Sequence, residues 1–350
     1  MEIGKKMFWG WGLGVLLCCG ACTGLNTPPS TPEAAEKNAP AATQSPSKEA
    51  ALAPAKESAP AAGEATPAAQ PSAGPGLELY ENEAFTMEIP QGWEVAAAGR
   101  GLYHVVRVYD PREPLKQIFT LLQAEGLLHN QMAKTAWHEA AQDDPQMSLL
   151  AEAPVLDPPS VGNFYQIFPQ YVHYISAQEP SYTGFFFPRF EGLKIVANQP
   201  LQLNRPEKVL DSRLLQATFS QEGRIGEGLF SAAIVDFGEV PMVMEIDKRP
   251  RKVDGGYYLA YDIAAITAPQ GQLGEWIETM SSSLHSLRYS DKFLQSLAPD
   301  SEKEEASAPA VIDHADVISQ AMLKFWKSKP QAASPKGEAT QEKAPKTEAQ

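Results

Sequence analysis

Six histidines are the side chains of this chain best suited to acid–base or metal chemistry: His104, His129, His138, His173, His285 and His314. Trp137-His138-Glu139-Ala140-Ala141-Gln142 opens like the zinc-protease helix HExxH, in which two histidines bind one ion from the same helix face. Gln142 stands where the second histidine is needed, so the metal pair fails and His138 and Glu139 read as a solvated helix face. His104 and His173 lie in β-like runs and read as partly buried core histidines. Ser281-Ser282-Ser283 precedes His285, but helical spacing alone does not aim a hydroxyl at an imidazole. Neither a Gly-x-Ser-x-Gly elbow nor the Gly-Lys-Ser/Thr of a phosphate loop occurs. Gly223-Arg224-Ile225-Gly226-Glu227-Gly228 sits between strand-like runs and reads as a hairpin turn. Asp143-Asp144 supplies too few carboxylates for calcium, which takes about six to eight oxygen ligands.

The three cysteines, Cys18, Cys19 and Cys22, all fall within the first 22 residues, so the rest of the chain has no thiolate nucleophile, disulfide or cysteine metal ligand. These observations point to a non-catalytic protein without a cofactor or metal. The alternative is a hydrolase-type enzyme whose site is assembled from dispersed Asp, Glu and His, because catalytic groups converge in space.

The elements that would position such groups are mostly strands. Phe85, Met87 and Ile89 alternate with polar residues before Pro90-Gln91-Gly92-Trp93, and extended structure resumes through Val95. Runs at 102–109, 117–122, 183–190, 193–198, 212–220, 228–237, 241–246 and 256–267 also read as strands, with Tyr258, Ala260 and Asp262 alternating onto one face. Segment 161–177 carries Val, Phe, Tyr and Ile and fits a helix or an edge strand. Residues 131–142 have helical spacing, and Leu273, Trp276, Ile277, Met280, Leu284 and Leu287 form the buried stripe of a helix over 273–287. Consecutive strands joined by short turns predict an α+β domain, a mainly antiparallel sheet flanked by helices.

The 350 residues carry a formal charge of −14, which argues against a nucleic-acid binder, since such proteins need a positive surface to replace phosphate counterions. Composition divides the chain into 1–21, a targeting segment; 22–76, an Ala/Pro-rich stalk; 77–292, one folded domain; and 293–350, a low-complexity tail. Residues 26–76 hold 16 Ala and 10 Pro in 51 residues and almost no large apolar side chain, so ordering them would cost chain entropy without burial in return. As a flexible coil the stalk reaches roughly 40 Å, and about 150 Å fully extended.

Two surface features are candidate contact sites. Lys248-Arg249-Pro250-Arg251-Lys252 places four cations in a domain of 17 Lys and Arg against 28 Asp and Glu. It reads as a hairpin tip, either a solvated turn or a dock for anionic headgroups or an acidic partner. In the tail, Ile318, Met322 and Phe325, with Trp326 beside them, give a helix near 309–329 an apolar stripe that needs a surface, either the chain's own body or a protein partner or membrane. The aromatic run Phe185-Phe186-Phe187 reads as core.

Lys5 and Lys6, then the apolar stretch 7–19, then Cys19-Gly20-Ala21-Cys22-Thr23 resemble a bacterial lipoprotein signal peptide and its lipobox. The apolar stretch, about 20 Å long as a helix, is too short for a bilayer core of about 30 Å. The resemblance implies cleavage before Cys22 and lipidation on it. The departure is Cys19, where the family usually has Leu; the alternative register ending at Cys19 puts Cys18 where a small residue is usual. Lipidation would give an extracytoplasmic, membrane-anchored protein, and Thr23, standing where Asp signals inner-membrane retention, favours the outer membrane or cell surface. Separately, Glu83-Ala84-Phe85-Thr86-Met87-Glu88-Ile89-Pro90-Gln91-Gly92-Trp93 and the closing order of long strand, helix and short strand at 288–290 resemble PsbP-like and Mog-type domains. That resemblance implies a three-layer α/β/α sandwich with a binding or assembly role, and carries over no functional residue.

Overall fold

The computed structural model describes residues 76–144, 147–297 and 314–328. The described residues all belong to the second of two units of the chain, Ala68–Gln350.

In chain order, the strands are β1 Leu77–Glu81, β2 Phe85–Pro90, β3 Glu94–Ala98, β4 Val105–Asp110, β5 Glu113–Leu128, β6 Glu191–Pro200, β7 Val209–Gln221, β8 Arg224–Gly238, β9 Pro241–Ile246, β10 Arg249–Asp254, β11 Tyr257–Pro269 and β12 Arg288–Tyr289. The α-helices are α1 Gln131–Asp143, α2 Ser148–Ala151, α3 Val161–Gln178, α4 Leu273–His285, α5 Asp291–Ser296 and α6 Ala315–Lys327. Seven strands form one antiparallel sheet in the order β3-β4-β5-β11-β8-β7-β6; β1-β2-β12 form a second sheet, and β9-β10 a separate ribbon. The fold is α+β with mainly antiparallel sheets, as the strand-rich pattern predicts.

Period-two alternation gives the large sheet two apolar faces. Leu115, Phe119 and Leu121 of β5, with Phe230, Ala232 and Ile234 of β8, pack with α3. Ile118, Leu229, Ala264 and Ile266 face the other way, onto α4, α6 and the small sheet. A third cluster, Leu128, Ala133, Trp137, Ala153, Tyr257 and Leu259, seats α1 beside the ribbon.

The segment at 161–177 is a helix rather than an edge strand. Its buried positions Val161, Phe164, Tyr165, Phe168, Tyr171 and Ile175 repeat at helical spacing, and the Ser160 side chain accepts from Asn163 N at 3.2 Å, so spacing and cap outweigh β propensity even with Pro169 inside. The run 183–190 is irregular: Phe187 and Phe190 enter the core, whereas Phe186 is 78% exposed. The strand at 85–95 is two strands in different sheets, because the turn at Gln91-Gly92 carries the chain from β2 to β3.

Strand β11 does not keep Tyr258, Ala260 and Asp262 on one face. A bulge between Tyr261 and Ala264 shifts the register, and Asp262 takes a φ of 53°. Ala260 before the bulge and Ile263 after it both face α3. The extra residue turns Asp262 to the opposite side, toward α4 and α6.

Candidate functional site

Two charged regions stand out, and they are built on opposite plans. The first lies on the α4/α6 side of the sheet, where the bulge delivers Asp262. Arg205 Nε donates to Asp262 Oδ2 at 2.5 Å, and His314, which caps α6, places Nδ1 3.0 Å from Asp262 Oδ1. All three side chains are more than nine-tenths buried. The Arg205 guanidinium also lies 4.2 Å above the Tyr261 ring, with Glu207 at 3.8 Å. Burial is the largest influence on the Asp262 carboxyl and pushes its pKa up, but hydrogen bonds and charge from His314 and Arg205 outweigh it and hold the group below the usual range. Asp262 is thus an acceptor only, so His314 Nδ1 carries the proton it shares. His314 Nε2 has no hydrogen-bond partner among the described residues, nor does Thr120 Oγ1.

These groups line a cavity of about 90 Å³, closed by Leu284, Leu287 and Ile318. An Asp–His pair with a free Nε2 is the arrangement a general base would use, yet the space is well below the roughly 300–1,000 Å³ of small-molecule sites. What the cluster visibly does is hold α6 on the body. Ile318, Met322 and Phe325 are buried against α4 and the sheet, Trp326 packs beside them, and Lys327 Nζ meets Glu278 Oε1 at 2.6 Å. The stripe that the sequence offered to a partner or a membrane is therefore covered by the chain's own body, because α4 presents a complementary apolar face; residues 309–313 and 329 of the expected helix lie outside the described residues.

The second region is the β9-β10 ribbon. Its turn is Asp247-Lys248, with φ values of 53° and 59°, as a two-residue type I′ loop requires. The basic run is thus not wholly a tip: Lys248 is in the turn, and Arg249, Arg251 and Lys252 lie along β10. Arg249 opposes Ile246, Arg251 opposes Met244 and Lys252 opposes Val243. All four cations are exposed, and none forms an ion pair among the described residues.

The ribbon's feet are fixed. Asp254 accepts from His129 Nδ1 at 2.9 Å, from Val240 N at 3.0 Å and from Gly256 N at 2.8 Å. Trp137 Nε1 donates to the Gly255 carbonyl at 2.7 Å. A Cβ at Gly255 would lie 2.2 Å from Met242 Sδ, so any side chain there would displace Met242. Burial is again the strongest influence and raises the Asp254 carboxyl, but the His129 hydrogen bond and the two backbone N–H groups bring its pKa below the usual value.

The other sequence candidates stay apart. His138, His173 and His285 are exposed, and Ser283 Oγ donates to the Glu88 carbonyl at 2.5 Å rather than to His285. Cys22 lies outside the described residues. No group of three His, Cys, Asp or Glu among the described residues is disposed to hold a metal ion. The sequence reading missed Arg205, Asp262 and His314 as a unit because 57 and 52 residues separate them from one another. The available signal was a carboxylate inside the apolar strand 257–269. The chain matches no protein-family model and no curated protein.

Proposed function

We propose that this chain is a non-catalytic binding or assembly module, anchored to a membrane through lipid on Cys22 and making its contact through the β9-β10 ribbon. The observation that carries the reading is that four exposed cations, with no ion pair among the described residues, stand in an acidic domain on a ribbon whose feet are pinned by Asp254, Trp137 and His129. A rigidly held, unneutralised cluster suits recognition of an anionic surface. The Asp262–His314 pair supports the enzyme reading less well, since its cavity is too small for a substrate and its residues are spent on holding α6.

Cross-linking in cells tests this on three forms of the full chain: unaltered, Cys22→Ser, and Arg249→Gln/Arg251→Gln. The unaltered chain is expected to fractionate with membranes and to cross-link a reproducible envelope component. Cys22→Ser should leave the membrane fraction, and the ribbon variant should stay there but lose the cross-links. Retention of every cross-link by the ribbon variant would remove the ribbon from the reading. Membrane retention of Cys22→Ser would remove the anchor.

A further inference from the structure

We propose that the ribbon's partner is an anionic lipid surface, whose headgroup phosphates are met by Lys248, Arg249, Arg251 and Lys252. The inference rests on reading the ribbon as the contact surface and names what it contacts.

The register decides the approach. Residues directly opposite in an antiparallel pair share a face, so Lys252 lies with Val243 on one face, while Arg249 and Arg251 lie with Ile246 and Met244 on the other. Lys248 is in the turn. A protein epitope meeting one face would engage only part of this set. A headgroup layer met end-on receives cations from both faces, because long Lys and Arg side chains can bend toward the phosphates while their stems stay on apolar surface.

The apolar content of the ribbon fits the same approach: Val243, opposite Lys252, is 67% exposed. Exposed apolar side chains among cations are the composition of a surface that lies in a membrane interface.

Of the nearby acids, Asp236, Glu239 and Asp254 lie at the ribbon's foot, away from the turn. Asp254 is turned to His129 at the foot, leaving Glu245 and Asp247 as the carboxylates on the projecting part. Each Lys or Arg at an anionic surface strengthens attachment by roughly five-fold. Four, partly offset by two acids, give weak docking for a free protein. A tether of 51 residues, however, holds a domain near the membrane at an effective concentration on the order of millimolar, where weak docking becomes populated. The rest of the domain carries an excess of acids, so its net charge is repelled by the same surface and favours an approach through the ribbon end.

The test uses the second compact unit, 68–350, which carries its own three cores. At millimolar accessible lipid, which stands in for the tether's effective concentration, it is co-sedimented with vesicles of pure phosphatidylcholine or of phosphatidylcholine with phosphatidylglycerol. Binding is expected only with the anionic lipid, and is expected to weaken as salt shortens the Debye length. Arg251→Gln/Lys252→Gln should lower the partition about 25-fold at two charges removed. Lys194→Gln, on edge strand β6, should change it less than about two-fold, well under the five-fold of a docked charge. Unchanged thermal melts would show that both variants are folded. Equal binding to the two vesicle types, or equal loss in Lys194→Gln, overturns the proposal. Absence of vesicle binding together with ribbon-dependent cross-linking to a protein would overturn the lipid assignment while leaving the ribbon as the contact surface. Absence of both would overturn the two together.

Discussion

The Asp262 cluster and the β9-β10 ribbon use the same residue types for opposite ends. In the cluster a guanidinium, a carboxylate and an imidazole from three distant segments are buried and mutually paired. In the ribbon four cations stand exposed without ion-pair partners among the described residues. The chemistry of charge in water explains the division. A buried charge is tolerable only when paired, and pairing exhausts its capacity to bind anything else. An exposed charge contributes little to stability and keeps its field for a partner. The cluster therefore belongs to the architecture of the tail, whereas the ribbon's cations keep their field in solvent.

The comparison breaks most sharply at Asp262. Asp262→Asn keeps a side chain that tolerates the positive φ but leaves buried Arg205 with only the longer contact to Glu207, for which a loss of about 3 kcal/mol is expected in chemical denaturation. Met322→Ala tests the same docking through packing. The side chain is fully buried between α6 and the body, and its truncation should cost about 3 kcal/mol and increase protease cleavage near α6.

His104 offers a third test, one that turns on pH. It is buried among Phe85, Tyr289 and Phe293, its Nδ1 has no partner among the described residues, and burial lowers its pKa from 6.5 to about 4. The unfolded chain then binds the proton more readily than the folded one between those values. Stability is complete above pH 6.5 and falls as the pH drops toward 4, by at most about 3 kcal/mol. His104→Phe, which suits the aromatic surroundings, should flatten that slope; an unchanged slope would place the titrating group elsewhere.

How much of this was legible follows from how local each signal is. The stripe of α4 and the tail helix depend on neighbours within a few residues and are recognisable in the sequence; the two hairpins were legible as turns near 223–228 and 248–252, but their loops fall earlier, at Glu222-Gly223 and Asp247-Lys248. Helix α3 was ambiguous because Phe, Tyr, Ile and Val serve either structure, and only the spacing of its buried positions decides. The Asp262 cluster was illegible: its partners are joined by tertiary folding, and the bulge that aims Asp262 has no glycine to announce it. The ribbon was half legible. Its charge could be counted, but which cations sit in the turn and which along the strand depends on the register, and so on where the two-residue loop falls.

The smallest expected effect bears most on function. Arg249→Gln, Arg251→Gln and Lys252→Gln should each leave stability within about 0.5 kcal/mol, because exposed charges away from caps and networks contribute little. The sign is informative as well. Cations crowded on one ribbon repel one another, so a slight gain on neutralisation is expected at low salt, fading as salt screens the repulsion. Thermal denaturation at two salt concentrations measures both. A loss as large as that of Asp262→Asn would mean that the ribbon's cations support the fold, and the contrast between the two regions would collapse. A near-zero change, alongside lost contact with the anionic surface, would show that this cluster is kept in solvent for what it binds.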